Sequence, residues 1–135
     1  MARAACLQKS AGFQRRRGIA GYSLAGLFAA WSAYHDSPFQ RVACVSGSLW
    51  FDGWADFATS RLLQTPPARA NFSLGDSEKN SRHSRMMTVE NATRATACHW
   101  LQQGIRATFA LNPGGHFDDI AARTAAAINE LARDD

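Results

Sequence analysis

Three kinds of side chain in this sequence could together do nucleophilic chemistry. Ser23 sits among small residues in Gly21-Tyr22-Ser23-Leu24-Ala25-Gly26. A serine hydroxyl is a weak nucleophile at its free pKa and needs a neighbouring base. His116, in Asn112-Pro113-Gly114-Gly115-His116-Phe117, can supply one, because an imidazole titrates near neutrality. Such a base is oriented by a third group, and the polar stretch Gly75-Asp76-Ser77-Glu78-Lys79-Asn80 carries two carboxylates, Asp76 and Glu78. His35, His83 and His99 lack comparable settings, and no metal-ligand spacing links them.

The elements around Ser23 must then form a sharp turn. An apolar run over 16–20 reads as a strand, and Leu27, Phe28, Trp31 and Tyr34 follow at helical spacing. A serine on a strand-to-helix turn is held in a strained conformation that projects its hydroxyl into a cleft. Gly21, Ala25 and Gly26 remove the side chains that would collide there. The helix then begins at the serine, with its free N–H groups pointing to where an oxyanion would form. Leu24 offers one such backbone N–H. The pattern departs from G-x-S-x-G at Ala25, and an ordinary glycine-containing turn would carry much the same sequence.

The rest of the chain alternates. Residues 41–46 read as a buried strand, 47–54 as a loop dense in aromatics, and 55–63 as a short helix broken by Pro66 and Pro67. A third strand over 70–74 runs into the acidic loop. Met86, Val89, Thr93, Thr96 and Trp100 mark one side of a helix over 86–103, with Gly104 as its stop. A fourth strand over 105–111 precedes the His116 turn. The last helix carries Phe117, Ile120, Ala121, Thr124, Ile128 and Leu131 on one face, with Asp118 and Asp119 in its first turn. This order implies a parallel sheet of about four strands with helices on both faces. Sites in such sheets form outside the carboxyl ends of the strands. Ser23, the Trp50 loop, the acidic loop and His116 would all emerge there.

Composition sets the bounds. A chain of 135 residues with 46% apolar content has room for one globular domain. Its net charge of +4 owes much to Arg3, Lys9, Arg15, Arg16 and Arg17, so 1–15 reads as a disordered basic tail and 16–135 as the domain. No nucleic-acid-binding motif accompanies that charge, and nucleic acid is not expected as a partner. Cys6, Cys44 and Cys98 form no framework, which suits free thiols in a reducing compartment, and a cytoplasmic location is expected. No run is long enough to span a membrane, and 1–15 lacks the apolar core of a signal peptide.

Serine, acidic loop and histidine, each after a strand and in that chain order, resemble the α/β-hydrolase fold. The chain is more specifically similar to the esterase family that includes siderophore (enterochelin-type) and feruloyl esterases. The resemblance rests on Gly21-Tyr22-Ser23-Leu24-Ala25-Gly26-Leu27-Phe28, Val45-Ser46-Gly47-Ser48-Leu49-Trp50-Phe51, Ser73-Leu74-Gly75-Asp76-Ser77-Glu78 and Asn112-Pro113-Gly114-Gly115-His116-Phe117. It covers 16–131. It implies a serine esterase that forms an acyl-enzyme on Ser23, with His116 as base, acting on a small-molecule ester without a cofactor. The acid of the wider fold follows a glycine by a few positions, which favours Glu78 over Asp76. Tyr22, Trp50 and Phe51 are then candidates to line the substrate cleft, although loop aromatics such as these and Trp54 also pack onto cores.

The family also implies a longer protein, with several strands ahead of the serine turn. This sequence therefore looks like the C-terminal half of such a domain, with the N-terminal half of the sheet missing. The second oxyanion donor would belong to that missing half. The alternative function is an inactive remnant that persists by association. The first strand would have a free edge, open to self-association.

Overall fold

Four parallel strands position everything else. The computed structural model of the chain describes residues 16–133; the basic stretch 1–15, and Cys6 with it, lies outside them. The strands are β1 (Gly18–Tyr22), β2 (Arg41–Val45), β3 (Arg69–Gly75) and β4 (Arg106–Asn112). They lie side by side in chain order, β1-β2-β3-β4. Gly18 to Tyr22 pair with Arg41 to Val45, which pair in turn with Arg69 to Ser73, and Arg69 to Gly75 pair with Arg106 to Asn112. Parallel neighbours need a crossover, and three helices lie in the crossovers, α1 (Leu24–Ser32), α2 (Trp54–Thr59) and α3 (Val89–Gln102), while α4 (Ile120–Ala132) follows the last strand.

The two faces of the sheet are covered unequally. Strand residues alternate sides. Val42, Cys44, Ala70 and Phe72 face a large core made with α1, α2 and α3, including Ala29, Trp54 and Trp100. Ala43 and Val45 face the other way, against Ala127 and Leu131 of α4. All of β2 is buried, as expected of a central parallel strand covered on both faces. The buried aromatics keep their polar ends paired. Trp100 Nε1 donates to Tyr34 Oη at 2.9 Å, Tyr34 Oη donates to Ala58 O at 2.8 Å, and Trp54 Nε1 donates to Thr96 Oγ1 at 3.1 Å.

The α/β alternation and the parallel order are as the sequence implies, but several local expectations shift. The first strand occupies Gly18–Tyr22, not 16–20, because its ladder with β2 runs right up to the turn at Ser23. Of the expected stripe, Tyr34 is buried and Leu27 packs against the core, but α1 does not bury Phe28 and Trp31. It turns Gly26, Ala29 and Ala30 to the sheet, while Phe28 and Trp31 stay 56% and 41% exposed. Small residues let this helix lie close: a Cβ on Gly26 would stand 2.9 Å from Gly47 Cα. The helix expected over 86–103 opens with a 3₁₀ turn, Met86–Thr88. Helix α4 starts at Ile120, so no acid occupies its first turn. Asp118 instead accepts the Gly115 N–H at 2.7 Å, closing the turn before the helix. The buried face of α4 is Arg123, Ala127 and Leu131, with Ile128 half-exposed. Among the described residues no helix is long and apolar enough to cross a membrane.

Candidate active site

Ser23 stands between β1 and α1 with φ 62° and ψ −121°, a region that costs a non-glycine residue about 1–3 kcal/mol. Its surroundings over-determine that conformation. Its N–H continues the ladder to Val45 O at 3.0 Å, and its C=O accepts from Gly26, Leu27 and Ser48 N–H groups at 3.0, 3.2 and 3.0 Å. The turn is also tight: a Cβ on Gly21 would lie 2.1 Å from Ala25 O. Ala25, by contrast, is accommodated with its methyl group, so the departure from G-x-S-x-G falls where a small side chain has room.

His116 reaches the serine from the far end of the chain. Its Nε2 lies 3.0 Å from Ser23 Oγ, and its Nδ1 lies 2.6 Å from Glu78 Oε1. With Nδ1 protonated, the imidazole donates to the carboxylate and presents a bare Nε2 to the hydroxyl, the arrangement a general base needs. Tyr22 supports the ring. The phenol and imidazole rings stack with centroids 5.0 Å apart, and Tyr22 Oη donates to His116 O at 2.5 Å. Burial, and secondly the nearby Glu78 charge, raise the Tyr22 pKa, which keeps that donor protonated.

The two carboxylates have separate partners. Glu78 sits at the start of the 3₁₀ turn Glu78–Asn80 and turns one oxygen to His116. Its other oxygen accepts from Gly75 N at 2.6 Å and Ser46 Oγ at 2.7 Å. Asp76 accepts the Gly114 N–H at 3.0 Å, fastening the His116 turn to the end of β3. No hydrogen bond joins Asp76 to the imidazole among those of the described residues.

A cleft of about 390 Å³ opens over this cluster, lined among others by Ser23, Trp50, Glu78, Met86, His116 and Phe117. All four segments expected at the strand ends therefore meet in one place. Trp50 reaches the cleft, whereas Tyr22 lies against the histidine and Phe51 turns to an adjoining apolar groove. That groove, of about 460 Å³, is shared by Leu24, Phe28, Trp31, Trp54 and Phe57. Leu24 is the first residue of α1, so its N–H is one of those a helix start leaves without an intrahelical partner. Cys44 is no rival nucleophile, because full burial pushes its thiol up to about 12.

The sequence reading missed Ser46 and Arg123. Ser46 adopts φ 45° and is buried just past β2; Arg123 is buried on α4. Ser46 lies in the 45–51 block with no role assigned to it there, and an arginine in a helix ordinarily reads as solvent-facing.

The chain matches no protein-family model and no curated protein. Its fold is similar to that of two siderophore hydrolases. Siderophore hydrolase EstA from Aspergillus nidulans superposes with a TM-score of 0.64 at 19% identity, over 85% of this chain and 46% of EstA. Siderophore hydrolase EstB from the same organism gives 0.59 at 20% identity, over 86% of this chain and 48% of EstB. The chain thus spans less than half the length of either hydrolase. At these identities the likeness is one of fold.

Proposed function

We propose that this chain carries the catalytic triad of a serine esterase, as the C-terminal part of an α/β-hydrolase domain. One observation carries the reading: an unbroken hydrogen-bonded line from a strained serine, through His116, to a buried carboxylate. In the proposed reaction His116 Nε2 removes the Ser23 proton as Oγ attacks an ester carbonyl. The Leu24 N–H faces the developing oxyanion, and Glu78 stabilises the imidazolium. The imidazolium then protonates the leaving alcohol as the C–O bond breaks. Water, activated by the same histidine, releases the acid from the acyl-enzyme. No cofactor enters these steps. Trp50 and Phe117 would contact the substrate. An ester-linked siderophore is the first substrate to try, because both solved neighbours are siderophore hydrolases.

The competing reading is an inactive remnant of such a domain. A fluorophosphonate probe separates the two. An active site labels Ser23, and Ser23→Ala and His116→Ala each abolish labelling and turnover. The double substitution costs no more than either alone, because the pair acts as a unit. An unlabelled Ser23 in folded protein would leave the remnant.

A further inference from the structure

Behind Glu78 lies a buried cation that the hydrolytic steps do not use. Arg123 projects from α4 on the less covered face of the sheet, and its side chain is 5% exposed, as is that of Glu78. Its Nη2 donates to Ser46 Oγ at 2.7 Å, and its Nη1 stands 3.7 Å from Glu78 Oε2. A guanidinium can only donate. Ser46 must therefore accept from Arg123, and its single proton is left for Glu78 Oε2, 2.7 Å away. The Gly75 N–H takes the same oxygen. Three donors or positive groups thus converge on Oε2, and Oε1 is the oxygen left for His116.

A stability role explains this arrangement poorly. A buried ion pair gains little over apolar residues of the same volume. Here Arg123 Nε and Nη1 also lack a hydrogen-bond acceptor among the described residues. The guanidinium's hydrogen bond goes to Ser46, and toward Glu78 it makes an ion pair at 3.7 Å. Ser46 itself holds a left-handed conformation with φ 45° to place its hydroxyl between the two.

We propose that Arg123, acting through Ser46, is a positioning residue that fixes the Glu78 carboxylate so that Oε1 alone faces His116. This inference rests on the triad reading of Ser23, His116 and Glu78, and its test is built to fail separately from that reading. Arg123 is absent from the cleft lining, so its loss leaves substrate binding alone.

The test uses the full chain and two readouts. The first is the imidazole Nδ1–H proton of His116 by nuclear magnetic resonance, assigned with Glu78→Gln as the control that displaces it. The second is steady-state ester hydrolysis. Arg123→Met, which keeps much of the volume without the charge, should shift the Nδ1–H signal toward that of Glu78→Gln. It should also lower kcat about 10-fold to 100-fold at unchanged KM, the loss typical when groups that orient a ligating side chain are removed. In the Glu78→Gln background the same substitution should change kcat little further, since Arg123 has nothing left to position. Arg123→Lys restores charge but not the fork, and should recover activity only in part. If Arg123→Met does not fold, Ser46→Gly carries the Nδ1–H and kcat predictions, because glycine suits the positive φ and removes the CH2OH side chain; KM is not read from it, since Ser46 lines the cleft. An unmoved Nδ1–H signal with unchanged kcat overturns the proposal, as does an equal loss in both backgrounds. A wild-type chain without turnover whose Nδ1–H proton still responds to Arg123→Met would sink the esterase reading and sustain the positioning role.

Discussion

Glu78 and Asp76 are two residues apart, yet one is bound to the imidazole and the other to a backbone N–H. Glu78→Gln can turn an amide N–H toward His116 and stabilise the wrong tautomer, so kcat should fall by up to about 10⁴-fold. Asp76→Asn keeps an oxygen for Gly114 and should leave kcat within a few-fold in the same ester assay. The reverse order would give the orienting role to Asp76. A second expectation concerns Tyr22 and Tyr34, the chain's two tyrosines. Burial raises the Tyr34 pKa to about 12 from 10.0, and Tyr22 also lies above its ordinary value. A phenol whose folded pKa is raised favours the fold fully below pH 10 and loses that contribution as pH climbs toward 12. The tyrosinate absorbance of the native chain should therefore rise at higher pH than in urea. Circular dichroism should show unfolding in the same alkaline window. Coincident native and urea titrations would mean that neither phenol is held.

At the scale of elements, the serine turn depends on the absence of one side chain. Gly21→Ala would drive a Cβ to within 2.1 Å of the Ala25 carbonyl, a backbone atom that cannot move aside without unwinding α1. Overpacking costs about 1–3 kcal/mol even where side chains can adjust, so this substitution should cost at least that in urea denaturation. Gly104→Ala has open space around it and only a positive φ of 84° to oppose it. It should cost about 1–2 kcal/mol and leave the serine turn intact. The alternation of elements was legible in the sequence because apolar runs, breakers and helical spacing all agree along it. The serine, acidic and histidine loops were legible because each follows a strand. The faces of α1 and α4 were not. Hydrophobic spacing favours Phe28, Trp31 and Ile128, whereas the sheet accepts Gly26, Ala29 and Ala127, which let a helix approach closely. Arg123 was illegible for a different reason: its burial depends on Ser46 and Glu78, which are distant in sequence and adjacent only once the sheet has formed.

At the scale of the molecule, β1 is an outer strand among the described residues, and beside it α1 exposes Leu24, Phe28 and Trp31. An outer strand next to an apolar patch favours association. Size-exclusion chromatography should show concentration-dependent oligomers, and Phe28→Glu with Trp31→Lys should shift them toward monomer. A monomer at all concentrations would refute this. Ser23 and His116 stand 93 residues apart in the chain, and His116 and Glu78 stand 38 apart. All strand pairs here are parallel, so they too join distant segments. Such non-local contacts must meet loop-closure entropy before they return any stabilisation, which makes folding slow. If the proposed triad is active, reactivity of Ser23 toward an electrophile is then a clock on the ribosome's product. A nascent chain whose histidine turn has not yet docked holds Ser23 as an ordinary alcohol. Covalent labelling of that serine therefore counts only the chains that have finished folding.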